Sequence, residues 1–366
     1  MTRRRRLQVA VLYPESSHPE SSQEAATAAR GDEARTSGWS GDAYGHMLRA
    51  LAAEGFEVLE VGIDFATLDR IDALTCDVAV NLCDGCTLDG EPGVEVLDAL
   101  EARGIPYTGA RRLAYWIGSD KVRMKVHFLN AGVPTPRFQV FGDADEAIDP
   151  RLEYPLFVKP CDTAGSVGVS LDSRVDGEAA LRRRLQAVIP LYGPALVEEY
   201  VEGRELSVAI IGDGDDLTIF PPVELRFGPA YPATCRIQTF ESKFDPASPL
   251  YRGYELSCPA RLGADEERTV IEAARAAYQS IGGTGYGRVD LRIGAGGPRV
   301  LEVNPNCSLE WAEGDVRDSC MFPVAAKAAG WSLRDVYRRL IDVALRRNPV
   351  PTRMPAVAPQ VRTRTF

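Results

Sequence analysis

The chain has 366 residues, of which 45% are hydrophobic, 26% are charged and 8% are aromatic. This composition is typical of a globular protein with two or three packed domains, and it excludes disorder throughout the chain. Because 52 acidic residues outnumber 42 basic ones, giving a net charge of -10, nucleic acid is a poor candidate partner. The apolar runs are too short for a membrane span, and the 8 scattered cysteines fit reduced thiols. We therefore expect a cytoplasmic protein with no membrane partner.

Strand-like and helix-like segments alternate through the N-terminal part of the chain. Short apolar runs predict strands at 7–13, 56–63, 76–82 and 105–107, and helical spacing predicts helices around 44–51 and 94–103. The order β-α-β-β-α-β indicates a small, largely parallel open sheet, which forms an expected N-terminal α/β domain over 1–117. Its polar segment 15–40 is expected to be a mobile loop, either a functional lid or a disordered excursion.

Helix caps and prolines divide the rest of the chain. A helix is predicted to begin at Ser119 as its N-cap, and a second helix is capped by Asp265. A last helix opens at Ser332, with Asp335 in the capping-box position. We expect a central subdomain over 118–196, a C-terminal subdomain over 197–348 and a disordered tail over 349–366.

Two runs that alternate polar and apolar residues, 288–293 and 299–304, flank a glycine-rich turn and predict a β-hairpin. The alternation places these polar side chains on one face: Arg288, Asp290, Arg292, Glu302 and Asn304. The apolar residues between them are expected to face the core: Val289, Leu291, Leu301 and Val303. Two carboxylates and a carboxamide oxygen are ligands that suit Mg²⁺. The alternative is a solvated face with cross-strand ion pairs.

Lys159 lies at the end of the apolar strand LFVKP, directly before the small-residue loop 161–168. A lysine in a buried strand is costly without an anionic partner, and small residues let backbone N–H groups approach phosphate oxygens. The pattern therefore favours a phosphate site. A surface lysine beside an ordinary turn remains the alternative.

Motifs in family order identify the stretch from about 105 to 337 as similar to the ATP-grasp ligases, and within them to the D-alanine–D-alanine ligase branch. The motifs lie at 119–125, 157–160 with the following glycine loop, 197–208, 240–243, 287–290 and 301–305. The resemblance implies a fold of α/β and α+β class. In this ATP-grasp fold, ATP lies between two α+β halves, and an open α/β domain precedes them.

The resemblance also implies a set of nucleotide-binding residues: Lys121, Lys159, Glu198, Glu199, Tyr200, Val201, Glu205 and Lys243. Within this set, Lys121 and Lys159 would contact the α- and β-phosphates, and 198–201 would form the adenine edge. Glu205 would bind the ribose hydroxyls and Lys243 the γ-phosphate, while the loop around Ser166 would close over the phosphates.

The same resemblance implies the metal and catalytic residues. Asp290, Glu302 and Asn304 would hold two Mg²⁺ ions, with Mn²⁺ as a possible substitute. Arg288 would stabilise an acyl phosphate and the tetrahedral adduct that follows, and Lys243 and Ser166 would assist phosphoryl transfer. The implied function is an ATP-dependent ligase, which forms an amide between a small carboxylate and an amine through an acyl phosphate. A homodimer is implied by the same analogy.

Other functions stay open at this point. They are an ATP-grasp enzyme with a different acceptor, such as intramolecular ring closure or ligation to a peptide; a D-alanine–D-alanine ligase proper; and a non-catalytic nucleotide-binding protein. Joint retention of Arg288, Asp290, Glu302 and Asn304 argues against the non-catalytic alternative.

Departures from the family pattern bear on the substrate. Gly165 and Phe244 stand where the family has serine and tyrosine hydroxyls, which join a glutamate near the first strand to orient the first amino acid. Glu15 or Glu20 is a candidate for that glutamate. Segment 81–86 replaces a histidine-glycine motif and 306–309 a proline-glycine motif, so D-alanine is a doubtful substrate. We expect Cys83 and Cys86, in 81–86, to line a substrate pocket rather than bind zinc or act in redox chemistry.

Overall fold

The computed structural model describes residues 6–15, 41–85, 91–311 and 320–347, except for the side chains of 41–43. Most of the expected 15–40 loop, including Glu20, lies outside the described residues, and so do Cys86 and the 349–366 tail. None of the described helices has the length and apolarity of a membrane span.

A parallel three-stranded sheet forms the N-terminal part of the fold. Its strands are β1 (Gln8–Pro14), β2 (Glu57–Ile63) and β3 (Val78–Asn81), in the order β2-β1-β3. The helices beside it are α1 (Gly41–Ala53), α2 (Val94–Arg103) and α3 (Arg112–Gly118). The strand predicted at 105–107 is reduced to one parallel bridge between Tyr107 and Ala79, and α3 was not predicted from the sequence.

An antiparallel four-stranded sheet follows. Its strands are β4 (Phe138–Phe141), β5 (Leu156–Pro160), β6 (Arg174–Val175) and β7 (Ala195–Glu199), in the order β4-β7-β5-β6. Helices α4 (Lys121–Asn130) and α5 (Glu178–Tyr192) accompany it. Because β7 pairs in this sheet along its whole length, the expected subdomain boundary after residue 196 falls inside a strand.

A six-stranded sheet completes the fold. Its strands are β8 (Arg204–Asp213), β9 (Asp216–Ile219), β10 (Val223–Phe227), β11 (Tyr254–Ser257), β12 (Tyr286–Gly294) and β13 (Gly297–Pro305). The order is β11-β10-β8-β12-β13, with β9 paired to β8. The remaining helices are α6 (Phe240–Phe244), α7 (Ala264–Ser280), α8 (Met321–Ala328) and α9 (Leu333–Arg346).

Two faces of the six-stranded sheet are covered by different parts of the chain. Val208 and Val289 pack with Val270 of α7, all fully buried. On the other side, Tyr337 of α9 shares a buried cluster with Val11 of β1. Each such buried aliphatic side chain contributes roughly 1.5–3 kcal/mol of transfer free energy. This packing joins the N-terminal sheet to the strands that carry the polar hairpin.

The helix caps differ from the sequence prediction at two positions. The N-cap of α4 is Asp120, whose side chain accepts a 2.9 Å hydrogen bond from the Arg123 amide, whereas the Ser119 hydroxyl donates to Trp116 O in the preceding helix. Helix α7 is capped by Gly263, which leaves Asp265 in the first turn. The Ser332–Asp335 capping box is confirmed. Asp120 rather than Ser119 is the N-cap because Ser119 is the C-cap of α3.

The predicted hairpin is confirmed as β12 and β13, but one residue that was predicted to face the core lies on the opposite face. Asp290 lies opposite Glu302, whereas Leu291 lies opposite Val300, so Leu301 is the extra residue of a β-bulge. The prediction that Leu301 faces the core was therefore wrong. Leu301 is half-buried and lines a cavity, while Val300 takes the core position.

Candidate active site

A cavity of about 410 Å³ brings together residues of the four-stranded sheet and the six-stranded sheet. Its wall includes every residue predicted from the sequence for nucleotide binding, metal binding and catalysis: Lys121, Lys159, Ser166, Glu198, Glu199, Tyr200, Val201, Glu205, Lys243, Arg288, Asp290, Glu302 and Asn304. Segments far apart in the chain thus converge on one concave site that contains many charged side chains. Such a site is the expected place for ligand binding.

Lys121, Lys159 and Glu198 line the predicted phosphate end of the cavity, and Lys125 lies behind Glu198. Lys159 Nζ lies 2.6 Å from one carboxylate oxygen of Glu198, and Lys125 Nζ lies 2.7 Å from the other. Lys121 donates to the carbonyl of Thr163 in the loop after β5. Lys125 was not predicted as a site residue, although its spacing of four from Lys121 places both lysines on one face of α4.

Burial and neighbouring charges set the protonation of this group. Burial lowers the pKa of Lys125 to about 8, against the effect of Glu198. Burial also opposes the charge on Lys159, but Glu198 and Glu302 outweigh it, so the pKa of Lys159 is raised. Although burial acts in the opposite direction, the two lysines lower the pKa of Glu198 to about 2. The carboxylate is therefore ionised at neutral pH.

The small-residue loop after β5 reaches across the cavity. Ser166 has the left-handed φ of 65°, and its hydroxyl donates a 2.9 Å hydrogen bond to Gln238 O. Gly168 has a φ of 73°, and a Cβ at this position would lie 2.6 Å from the Pro160 ring. Glycine is therefore required at 168, and the Ser166 bond ties the loop to the segment before α6.

A buried arginine organises the end of the cavity that Tyr200 and Glu205 line. Arg292 is 4% exposed, lies 3.3 Å from Glu205 Oε2 and stacks 4.8 Å above the Tyr200 ring centroid. Burial raises the pKa of Glu205, and Arg292 opposes that shift. The sequence pattern placed Arg292 on the polar face of β12 but gave it no role.

Asp290 is the most heavily bonded acid in the cavity. Arg288 holds both of its oxygens, with Nε to Oδ1 at 2.8 Å and Nη2 to Oδ2 at 2.7 Å. The hydroxyl of Ser207 and the side-chain nitrogen of Asn304 donate to the same carboxylate, at 2.5 and 2.8 Å. Asn304 also reaches Glu302 Oε1 at 3.4 Å, which links the two acids across the hairpin.

This group of oxygen ligands fits a hard cation. It offers two carboxylates and one carboxamide, and the described residues contain no cluster of three or more His, Cys, Asp or Glu that would hold a metal alone. A site with two acids depends on ligand phosphates and water to complete an octahedral shell, as is usual for Mg²⁺.

Lys243, in the last turn of α6, is a second cation beside Arg288. Burial and the nearby Arg288 lower the pKa of Lys243 to about 8, while Glu302 and Asp290 act in the opposite direction. Two cations lining the same part of a cavity leave a position where an anion is favoured.

The part of the cavity wall outside the predicted nucleotide, metal and catalytic residues departs most from expectation. Asp84, Tyr115, Phe244, Cys307 and Ser308 belong to it. Cys83 is buried in the N-terminal core instead, so its predicted place in the pocket was wrong. Glu15 is exposed, lies 3.5 Å from Arg70 and does not line the cavity. It therefore does not take the place of the family glutamate.

Asn306 carries an unpaired donor in this wall. It is 5% exposed and has a left-handed φ of 56°, and its Oδ1 accepts a 2.6 Å hydrogen bond from the Ala110 amide. That bond fixes the orientation of the carboxamide, since an N–H donor must face an oxygen. Nδ2 is buried and has no hydrogen-bond partner among the described residues. Asn306 directly follows β13 and lines the same cavity as Arg288.

Comparisons with known proteins agree with this geometry. The family model for the D-ala D-ala ligase C-terminus matches residues 128–342. The D-alanine–D-alanine ligase of Halorhodospira halophila is 32% identical over 260 residues, which cover 70% of this chain and 76% of that protein.

Solved structures show the same fold. A Bacillus anthracis D-alanine–D-alanine ligase complexed with ATP has a TM-score of 0.65 at 21% identity, covering 93% of this chain and 98% of that one. A D-Ala:D-Ser ligase of Enterococcus faecalis has a TM-score of 0.66 at 18% identity, covering 93% and 100%. The chain therefore belongs to the D-alanine–D-alanine ligase family and is an ATP-grasp ligase that forms carbon–nitrogen bonds.

Proposed function

We propose that this ligase activates a small carboxylate as an acyl phosphate and joins it to the amino group of a second small, amino-acid-like substrate. One observation carries the proposal: the phosphate-end lysines and the group Arg288, Asp290, Glu302 and Asn304 line the same cavity. Positive charge therefore lies along the path from a bound triphosphate to the position of the reacting carboxylate.

The first step is phosphoryl transfer. A carboxylate oxygen of the substrate attacks the γ-phosphorus of ATP, and the bond to the ADP oxygen breaks. Lys121 and Lys159 hold the inner phosphates, while Lys243 neutralises the transferring group. Most of the rate enhancement comes from positioning and from these fixed charges, since phosphoryl transfer needs no protein nucleophile.

Mg²⁺ fits the acidic group of the hairpin. Asp290, Glu302 and Asn304 would hold it, and when bound it supplies positive charge to the phosphate oxygens. Asp290 also holds the Arg288 guanidinium in place through two hydrogen bonds. We propose that these residues would hold two ions.

The second step is amide formation. The amine attacks the carbonyl carbon of the acyl phosphate, the carbonyl electron pair moves to oxygen, and the amine loses a proton. Collapse of the tetrahedral adduct then expels phosphate. Arg288 stabilises the negative oxygen, and we assign Asn306 Nδ2 as a second donor because it is buried without an acceptor.

We take the part of the wall that contains Asp84, Gly165 and Phe244 as the substrate end of the cavity. Its side chains favour a substrate pair other than two D-alanines. Phe244 brings an apolar ring and Gly165 lacks a side chain, so the two hydroxyls of the family's network are absent, and Glu15, the candidate glutamate among the described residues, is paired with Arg70. Instead, Asp84 contributes an acid to the wall. A homodimer and a cytoplasmic location stay predictions.

The proposal is tested by incubating the protein with ATP, Mg²⁺ and pooled D- and L-amino acids, followed by mass spectrometry. We expect ADP together with a product whose mass equals the sum of its two substrates minus one water. Asp290→Ala is the control, because it removes the metal-site charge and should abolish both signals. ADP formation that does not depend on any amino acid or other carboxylate would contradict the proposed reaction.

A further inference from the structure

Glu198 is the central residue of a buried chain of charges at the phosphate end. The resemblance to the family assigned Glu198 to the adenine edge. In the structure, one of its oxygens lies 2.6 Å from Lys159 Nζ and the other lies 2.7 Å from Lys125 Nζ. The side chains of all three residues are buried, so these are short ion pairs in a medium that screens them weakly.

Lys125 is placed where it cannot touch a ligand. Its side chain has no exposed surface, and it does not line the cavity, whereas Lys121, one helical turn earlier, does. Its Nζ also lies 2.6 Å from the hydroxyl of Thr135, which in turn donates to Val300 O at 2.8 Å. Lys125 is thus anchored between α4, β13 and β7.

The charges of Lys125, Glu198 and Lys159 together explain the effect of Lys125 on the cavity. With Lys159 alone, the Glu198 carboxylate would neutralise the cation that faces the cavity. With Lys125 present, one carboxylate is shared by two ammonium groups, and a net positive charge remains for an anion to meet. The carboxylate is also fixed from behind, so it holds the Lys159 ammonium in one position at the wall.

We propose that Lys125 and Glu198 are positioning residues for the nucleotide's phosphates: Lys125 fixes Glu198, and Glu198 orients Lys159. The inference rests on the proposed ATP site. It predicts that Glu198 contributes to affinity mainly through the phosphate groups rather than through the adenine ring, because both of its oxygens already face lysines.

The test compares ADP with adenosine, which lacks the phosphates. Calorimetric titration of Lys125→Met with each ligand should show ADP affinity about 10-fold weaker, or roughly 1.4 kcal/mol, with adenosine affinity unchanged. Lys125→Arg should recover most of the loss, since it keeps the charge. Lys327→Met is the matched control, because Lys327 lies outside the cavity and the cluster.

A second variant allows the inference to be tested if Lys125→Met does not fold. Glu198→Gln keeps the shape of the side chain but removes the charge that both lysines share, and it should show the same selective loss for ADP. Equal losses for ADP and adenosine, or an ADP affinity within twofold of wild type in a folded Lys125→Met variant, would overturn the inference. Wild-type protein that fails to bind ADP would instead overturn the proposed ATP site, and the inference with it.

Discussion

Arg288 and Asp290 are joined by two parallel hydrogen bonds, although they lie only two residues apart on the same strand. Nε to Oδ1 is 2.8 Å and Nη2 to Oδ2 is 2.7 Å, and β12 presents both side chains to the cavity because successive residues alternate faces. The pair holds a guanidinium beside a carboxylate that the proposed metal site also needs. Loss of Asp290 therefore affects two functions at once.

Asp290→Asn tests that double role. The amide keeps the shape of the side chain but removes the charge that balances Arg288 and that suits Mg²⁺. We expect substrate-dependent ATP turnover to fall by more than the roughly 10–100-fold typical of an outer-shell metal partner. Asp216→Asn is a suitable control, because Asp216 is exposed and paired with Arg339 away from the cavity. Turnover within threefold of wild type in the folded variant would remove Asp290 from the metal and charge-balancing roles.

The γ-phosphate contact should depend on pH through Lys243. Burial and Arg288 lower the pKa of Lys243 to about 8, so in the free protein its charge is present below pH 8 and lost above it. Affinity for ATP should therefore fall relative to affinity for ADP as pH rises from 7 toward 9, because only ATP has the γ-phosphate.

Lys243→Met provides the comparison for this pH profile. Titrations of ATP and ADP across the same pH range should show that the variant has lost the ATP-specific decline. If wild type and variant give parallel profiles for both nucleotides, Lys243 does not contact the γ-phosphate.

Asn306→Asp replaces the unpaired N–H donor by a carboxylate oxygen. The aspartate keeps an oxygen for the Ala110 amide, so the contact that holds the loop survives, but the buried, unpaired N–H donor of this cavity-lining residue is gone. Loss of one oxyanion donor typically costs about 10²–10³ in kcat. We expect a fall of this size in product formation with little change in ADP affinity. Asn130→Asp, at the exposed end of α4, serves as the control, and a normal kcat in Asn306→Asp would exclude Asn306 as a donor to the oxyanion.

D-Alanine should be a poor substrate at both positions. The wall contains Phe244 and Gly165 instead of the hydroxyls that orient the first amino acid in the family, and Asp84 changes the local charge. Steady-state assays with D-alanine alone should give a lower kcat/KM than the best pair found in the amino-acid pool. Efficient synthesis of the D-alanyl dipeptide would contradict this account of the substrate end.

Local sequence signals predicted much of the fold and of the site. The capping box at Ser332 depends on only a few neighbouring residues. The same is true of the end of α2, which is predicted at 103 and is followed by Gly104 with a left-handed φ of 64°. The polar face of the β12–β13 hairpin follows in the same way from an alternation of period two. Such features can be identified without knowing what packs against them.

What the sequence did not predict depends on contacts between distant segments. The bulge at Leu301 interrupts the regular alternation of side chains between the two faces of β13, and no turn-forming residue in the sequence indicates it. Lys125 acquires its partner only when α4 and β7 pack together, and Arg292 meets Glu205 only across two strands. The unpaired Nδ2 of Asn306 is visible only once the Ala110 amide fixes the orientation of the carboxamide.

In the proposed reaction the γ-phosphate, and not the adenylate group, activates the carboxylate. This activation is tested most directly with a carboxylate substrate whose oxygens are isotopically labelled, followed by mass spectrometry of the released phosphate and nucleotide. The acyl-phosphate route transfers one labelled oxygen to inorganic phosphate and leaves ADP unlabelled. Labelled AMP, with unlabelled pyrophosphate, would contradict the account.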